Sequence, residues 1–100
     1  MLTKAGMDTA DEALRSALIA KQEDLKLSDE RLGRQAFGYL KAPRGKIQSL
    51  FVGQGQPGKR KPQTINIWEL INLCEAMGLD WEKEIRKAKK SAEVAQKSPS

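Results

Sequence analysis

Apolar positions recur three and four apart along most of the chain, the period of helices packed on one face, and no segment reads as a strand. Thr9-Ala-Asp-Glu12 has the form of a capping box, in which the Thr hydroxyl takes one orphan N–H and Glu12 reaches back. Leu14, Ala17, Leu18 and Leu25 follow at helical spacing and predict a first helix over about 10–26. Lys21 interrupts that stripe with a stem that can lie along it. Residues 1–8 carry no periodicity and are expected to form a flexible N-terminus.

Ser28 is a good N-cap, and Asp29 and Glu30 suit the positive end of a second helix. Leu32, Ala36 and Phe37 form its buried face, and Gly38 ends it. Gly33 sits inside this helix, where Gly costs about 1 kcal/mol against Ala. Close approach of another helix is the packing reason for it. Pro43 suits a first helical position, after the connector Tyr39-Leu40-Lys41-Ala42. Ile47, Leu50 and Phe51 then mark the buried side of a third helix, stopped by Gly53. Its exposed side is expected to carry Arg44, Lys46, Gln48 and Ser49.

Residues 53–62, GQGQPGKRKP, read as a loop with a basic tip. Asn66-Ile-Trp-Glu69 is a second capping box, opening a fourth helix with Ile67, Leu70, Ile71, Leu73, Cys74 and Met77 apolar and Gly78 closing it. Trp68, Cys74 and Met77 are expected in the core rather than in a redox or ligand role. Asp80 caps a fifth helix with the stripe Trp81, Ile85, Ala88, Ala92 and Ala95. Residues 96–100 are expected to form a flexible tail. The fold class is therefore all-α: one domain over 9–95, a compact bundle of four to five helices.

Charge sharpens this picture. The 100 residues carry a net +5, but residues 31–68 hold no acid and eight bases, a local +8 against −3 elsewhere. That asymmetry points to a polyanionic partner. Chemistry narrows it further. With no His and one Cys, the chain offers neither a Cys/His pair nor a zinc cluster, and neither Glu23-Asp24 nor Asp29-Glu30 sits in an apolar context that suits acid–base work. No enzyme and no cofactor or metal site is expected. The apolar runs are too short to span a membrane, the N-terminus lacks an apolar signal core, and the single Cys suits a reducing cytoplasm.

A capped helix, a connector and a Pro-started helix with a polar face suit reading of the DNA major groove. The residues Leu27-Ser28, Leu32-Gly33 and Ala36 resemble the second helix of lambda-repressor-like (Cro/XRE-type) helix-turn-helix domains. That family usually has Ala at the position of Gly33, where two helices touch. Ile47, Leu50 and Gly53 are similar to the end of its recognition helix. Lys59-Arg60-Lys61-Pro62 resembles the stretch leading to its fourth helix, and the run from Leu70 to Leu79 resembles that helix. The likeness covers about 14–80. The turn here is about four residues longer, and the loop over 54–61 is longer by three or four. Where the family commonly has a Gln that touches DNA, this chain has Asp29, which repels phosphate.

The resemblance implies a small DNA-binding transcriptional regulator of the repressor type, with a recognition helix over about 43–52 in the major groove. Arg44, Lys46, Gln48 and Ser49 would then meet base edges, and Arg34, Lys41, Lys59, Arg60 and Lys61 would hold phosphates. A homodimer on a palindromic operator is expected, paired through Trp81, Ile85 and Ala88 of the last helix. The alternative is an adaptor, of the antitoxin or anti-activator type, that uses the same fold to engage a second regulatory protein.

Overall fold

The first helix begins earlier than the capping-box reading allows. In the structure, a computed structural model that describes every residue except Gln54, Pro57 and 98–100, helix α1 spans Lys4–Asp24. Thr3 is its N-cap, with Oγ1 accepting from the Gly6 N–H at 3.0 Å. Thr9 is therefore an interior residue, and its hydroxyl donates to the Ala5 carbonyl instead of capping. Residues 4–8 are helix rather than loose end because α5 offers them a partner: the Thr3 N–H donates to Gln96 Oε1 at 2.9 Å. Gly6 is buried against that same Gln96 side chain. The helix ends in a left-handed Lys26, so Leu25 is a half-exposed cap and not part of the buried stripe.

Helix α2, Asp29–Phe37, starts where Ser28 Oγ accepts from the Arg31 N–H, and buries Leu32, Gly33, Ala36 and Phe37. Helix α3, Pro43–Phe51, has Pro at its first position and no side-chain cap. Gly33 is where these two helices meet. A Cβ there would lie 2.7 Å from both the carbonyl carbon and oxygen of Pro43. Backbone, unlike a flexible side chain, cannot swing away. We expect Gly33→Ala to lower stability by about 1–2 kcal/mol, although Ala favours helix by about 1 kcal/mol. Thermal or urea unfolding checks this; an unchanged or raised midpoint would contradict the close approach.

Helix α4, Ile67–Met77, opens with the reciprocal capping box of Asn66 and Glu69 and closes at a left-handed Gly78. Helix α5, Trp81–Lys97, opens where Asp80 Oδ1 accepts from the Glu82 N–H. Gln96 and Lys97 are its last turn and not tail; the remainder of the expected tail, 98–100, lies outside the described residues.

Leu18, Leu32, Phe37, Ile47, Leu50, Leu73 and Cys74 are fully buried and join α1, α2, α3 and α4 in one core. Helix α5 lies along α1, where Ala88 and Ala92 are buried and let the two helices approach. Besides Leu25, three apolar positions depart from expectation: Ile67 and Trp68 are exposed, Trp68 by 74%, since the first two positions of α4 point away from the core, and Ala95 is exposed. Cys74 and Met77 are core residues. Burial, with Glu84 and Asp80 nearby, pushes the Cys74 thiol up to about 11, which keeps it protonated at neutral pH.

The architecture is an all-helical bundle. No helix among the described residues is long and apolar enough to cross a membrane.

Candidate nucleic-acid interface

The basic window folds into α2, α3, the five-residue connector 38–42 between them, and the loop that follows. Helices α2 and α3 pack on each other and on the rest of the core through Leu32, Phe37, Ile47 and Leu50. That packing fixes which side of α3 meets solvent. Arg44, Gly45, Gln48 and Val52 are exposed, and their spacing places them on one stripe.

Two of the four expected exposed residues lie elsewhere. Ser49 is 6% exposed, turned into the molecule, and its carbonyl accepts from the Gln63 N–H at 3.0 Å. Lys46 is partly covered, and its ammonium forms an ion pair with the carboxylate of Glu69 in the first turn of α4. Both residues sit too far around the helix from Arg44 and Gln48 to share their stripe. The reading by residue type caught the polar character of the helix but not its rotation.

The exposed stripe is bordered by two clefts. One, of ≈ 380 Å³, gathers Arg34, Lys41 and Arg44 around the first turn of α3, with Glu30 at its edge. Arg34 also pairs with Glu30 at 2.6 Å, but both are well exposed, so that pair is weak and exchangeable. The other cleft, of ≈ 480 Å³, is lined by Asp29, Gly45, Gln48, Val52, Gly53, Gly55 and Arg60. Lys59, Arg60 and Lys61 are exposed on the loop, with Arg60 Nε donating to the Gly55 carbonyl at 3.2 Å.

The loop is held at both ends by groups that sequence reading passed over. Arg15 on α1 is buried. Its Nε donates to the Leu50 carbonyl at 2.7 Å and its Nη2 to the Gln63 carbonyl at 2.8 Å. Nη2 also meets Asp11 Oδ2 at 2.6 Å, and Asp11 Oδ1 accepts from the Ile65 N–H at 3.2 Å. One guanidinium thus ties the last turn of α3 to the strand-like return of the loop. Two further ties reinforce this half of the molecule: Gln22 Nε2 donates to Asp29 Oδ1 at 2.7 Å, and Asn72 Nδ2 donates to the Ala36 carbonyl at 2.9 Å.

The expected pairing residues pack, wholly or in part, against the core of their own chain. Ala88 is 5% exposed against α1, and Trp81 and Ile85 are partly buried on the same core. Of the apolar stripe of α5, Ala88 and Ala92 are therefore covered by the chain itself, and Trp81 and Ile85 are covered in part. Val94 is the one large apolar side chain of α5 left largely exposed among the described residues.

Among the described residues, no cluster of His, Cys, Asp and Glu is placed to hold a metal ion. No family model, curated protein or solved structure matches the chain.

Proposed function

We propose that this protein binds double-stranded DNA in the cytoplasm as a small transcriptional regulator of the repressor type, with α2 and α3 acting as a helix-turn-helix. The observation that carries the reading is the exposed stripe of α3, in which Arg44 and Gln48 lie between a cationic cleft and a basic loop. A helix of this kind enters the major groove by its exposed side. There Arg matches the two acceptors of guanine, and Gln matches the donor and acceptor of adenine. Arg34, Lys41, Lys59, Arg60 and Lys61 flank the stripe and take backbone phosphates. The base-reading set is then Arg44 and Gln48. Lys46 contributes by joining α3 to α4, and Ser49 by packing.

Six exposed cations, the five above with Arg44, give a slope of about −5 for log K against log salt. A mobility shift on the DNA upstream of the gene, with competitor DNA and a salt series, tests this. A specific complex whose affinity falls at that slope is expected. Absence of any specific complex at moderate salt contradicts the reading. Gln48→Ala should narrow the gap between specific and competitor DNA with the slope unchanged. Replacing Lys59, Arg60 and Lys61 by Gln should weaken all duplexes alike and reduce the slope by about 3. Lys46→Met should leave the slope unchanged and act on stability alone.

A regulator that meets a palindromic operator does so as two copies, one helical turn apart. The rival reading, an adaptor for another regulatory protein, draws on exposed Ile67 and Trp68 at the start of α4. It predicts no specific shift in the same experiment.

A further inference from the structure

Asp29 places a carboxylate on a surface otherwise rich in cations. It lines the same cleft as Gln48 and Arg60. It is also aimed. Gln22, 8% exposed on α1, donates to its Oδ1 at 2.7 Å, and the first turn of α2 holds its backbone. Among the described residues, Oδ2 has no hydrogen-bond or ion-pair partner. A carboxylate held in this way repels phosphate, so the part of the cleft it faces is unsuited to the DNA backbone. What it can accept from, on a duplex, is an exposed amino group. In the major groove only cytosine N4 and adenine N6 present one. Cytosine offers it with no acceptor of its own to repel the carboxylate, whereas adenine N7 is an acceptor beside the amino group.

Resting on the DNA-binding reading above, we propose that Asp29 is a specificity-determining residue that accepts a hydrogen bond from a cytosine amino group, next to the base read by Gln48. The residue then serves two purposes with its two oxygens. One is fixed by Gln22 and sets the direction of the other. The repulsion that excludes phosphate becomes selectivity for one base edge.

The test uses the full chain and a randomised double-stranded DNA library, with selection by the wild type and by Asp29→Asn. The Asn side chain can keep the bond from Gln22 through its Oδ1 and then turns a donor toward the duplex. The wild type is expected to enrich a motif with cytosine at one position and to lose about tenfold in affinity when that cytosine is replaced by thymine. Asp29→Asn is expected to lose the cytosine and to favour a base that presents an acceptor there. Asp29→Ala, which keeps no polar group, should lose the preference and gain none, and it covers the case in which the Asn variant does not fold. Identical motifs from wild type and variants overturn the assignment, whether or not the variants bind all DNA more tightly through loss of a negative charge. Enrichment of no motif by the wild type fails the DNA-binding reading itself and this assignment with it, an outcome distinct from an unchanged motif.

Discussion

Arg15→Met is expected to destabilise the protein by about 3–5 kcal/mol, the usual cost of removing one partner from a buried ion pair. The side chain is 8% exposed and its neighbour Asp11 19% exposed, so the carboxylate left behind cannot be rehydrated freely. The change also strips donors from the carbonyls of Leu50 and Gln63. Domains of this size are stable by about 5–15 kcal/mol, so a substantial share of the total is at stake. Urea unfolding followed by circular dichroism reads the loss directly. The double variant Arg15→Met with Asp11→Asn should recover part of it, because it removes the orphaned charge. A loss below about 1 kcal/mol for the single variant would mean the guanidinium is not the tie its geometry describes.

Gly53→Ala is expected to cost about 2–3 kcal/mol, from two causes that add. Its φ of +96° suits glycine, and an added Cβ would run into the carbonyl group of Lys61 and lie 2.7 Å from Pro62 N. Gly58 provides the control. It has φ +87° with nothing within 4 Å of an added Cβ, so Gly58→Ala should cost only about 1 kcal/mol. The larger effect should be local as well as global. Gly53 is where the loop leaves α3 beside its own return, so Gly53→Ala should speed trypsin cleavage after Lys59, Arg60 or Lys61. Under the proposed DNA-binding function, it should also weaken DNA binding more than its stability loss explains. Equal costs for the two substitutions would show that backbone conformation alone matters and that the close approach at Lys61 does not.

Much of the fold was readable because helices announce their ends. Ser28, Pro43, Asn66, Gly78 and Asp80 act at the boundaries where their chemistry places them. Gly33 was readable too, since an interior glycine demands a neighbour. Three things were not. Thr9-Ala-Asp-Glu12 has the pattern of a cap, but a partner 93 residues away, Gln96, stabilises an earlier start at Thr3. Local pattern cannot weigh a contact between the two ends of a chain.

Ser49 and Lys46 were misplaced for a related reason. Both are polar, but on a nine-residue helix the width of the buried face depends on what packs against it. Here the return of the loop and Glu69 widen that face. Arg15 and Gln22 escaped notice through their residue types. Yet with Leu14 and Leu18 they follow helical spacing along one buried face of α1, so position was the signal and polarity concealed it.

The bond between Thr3 and Gln96 ties the start of α1 to the last turn of α5 and so closes most of the sequence into one loop. A covalent link between positions 3 and 96 would therefore remove about 4–5 kcal/mol of chain entropy from the unfolded state.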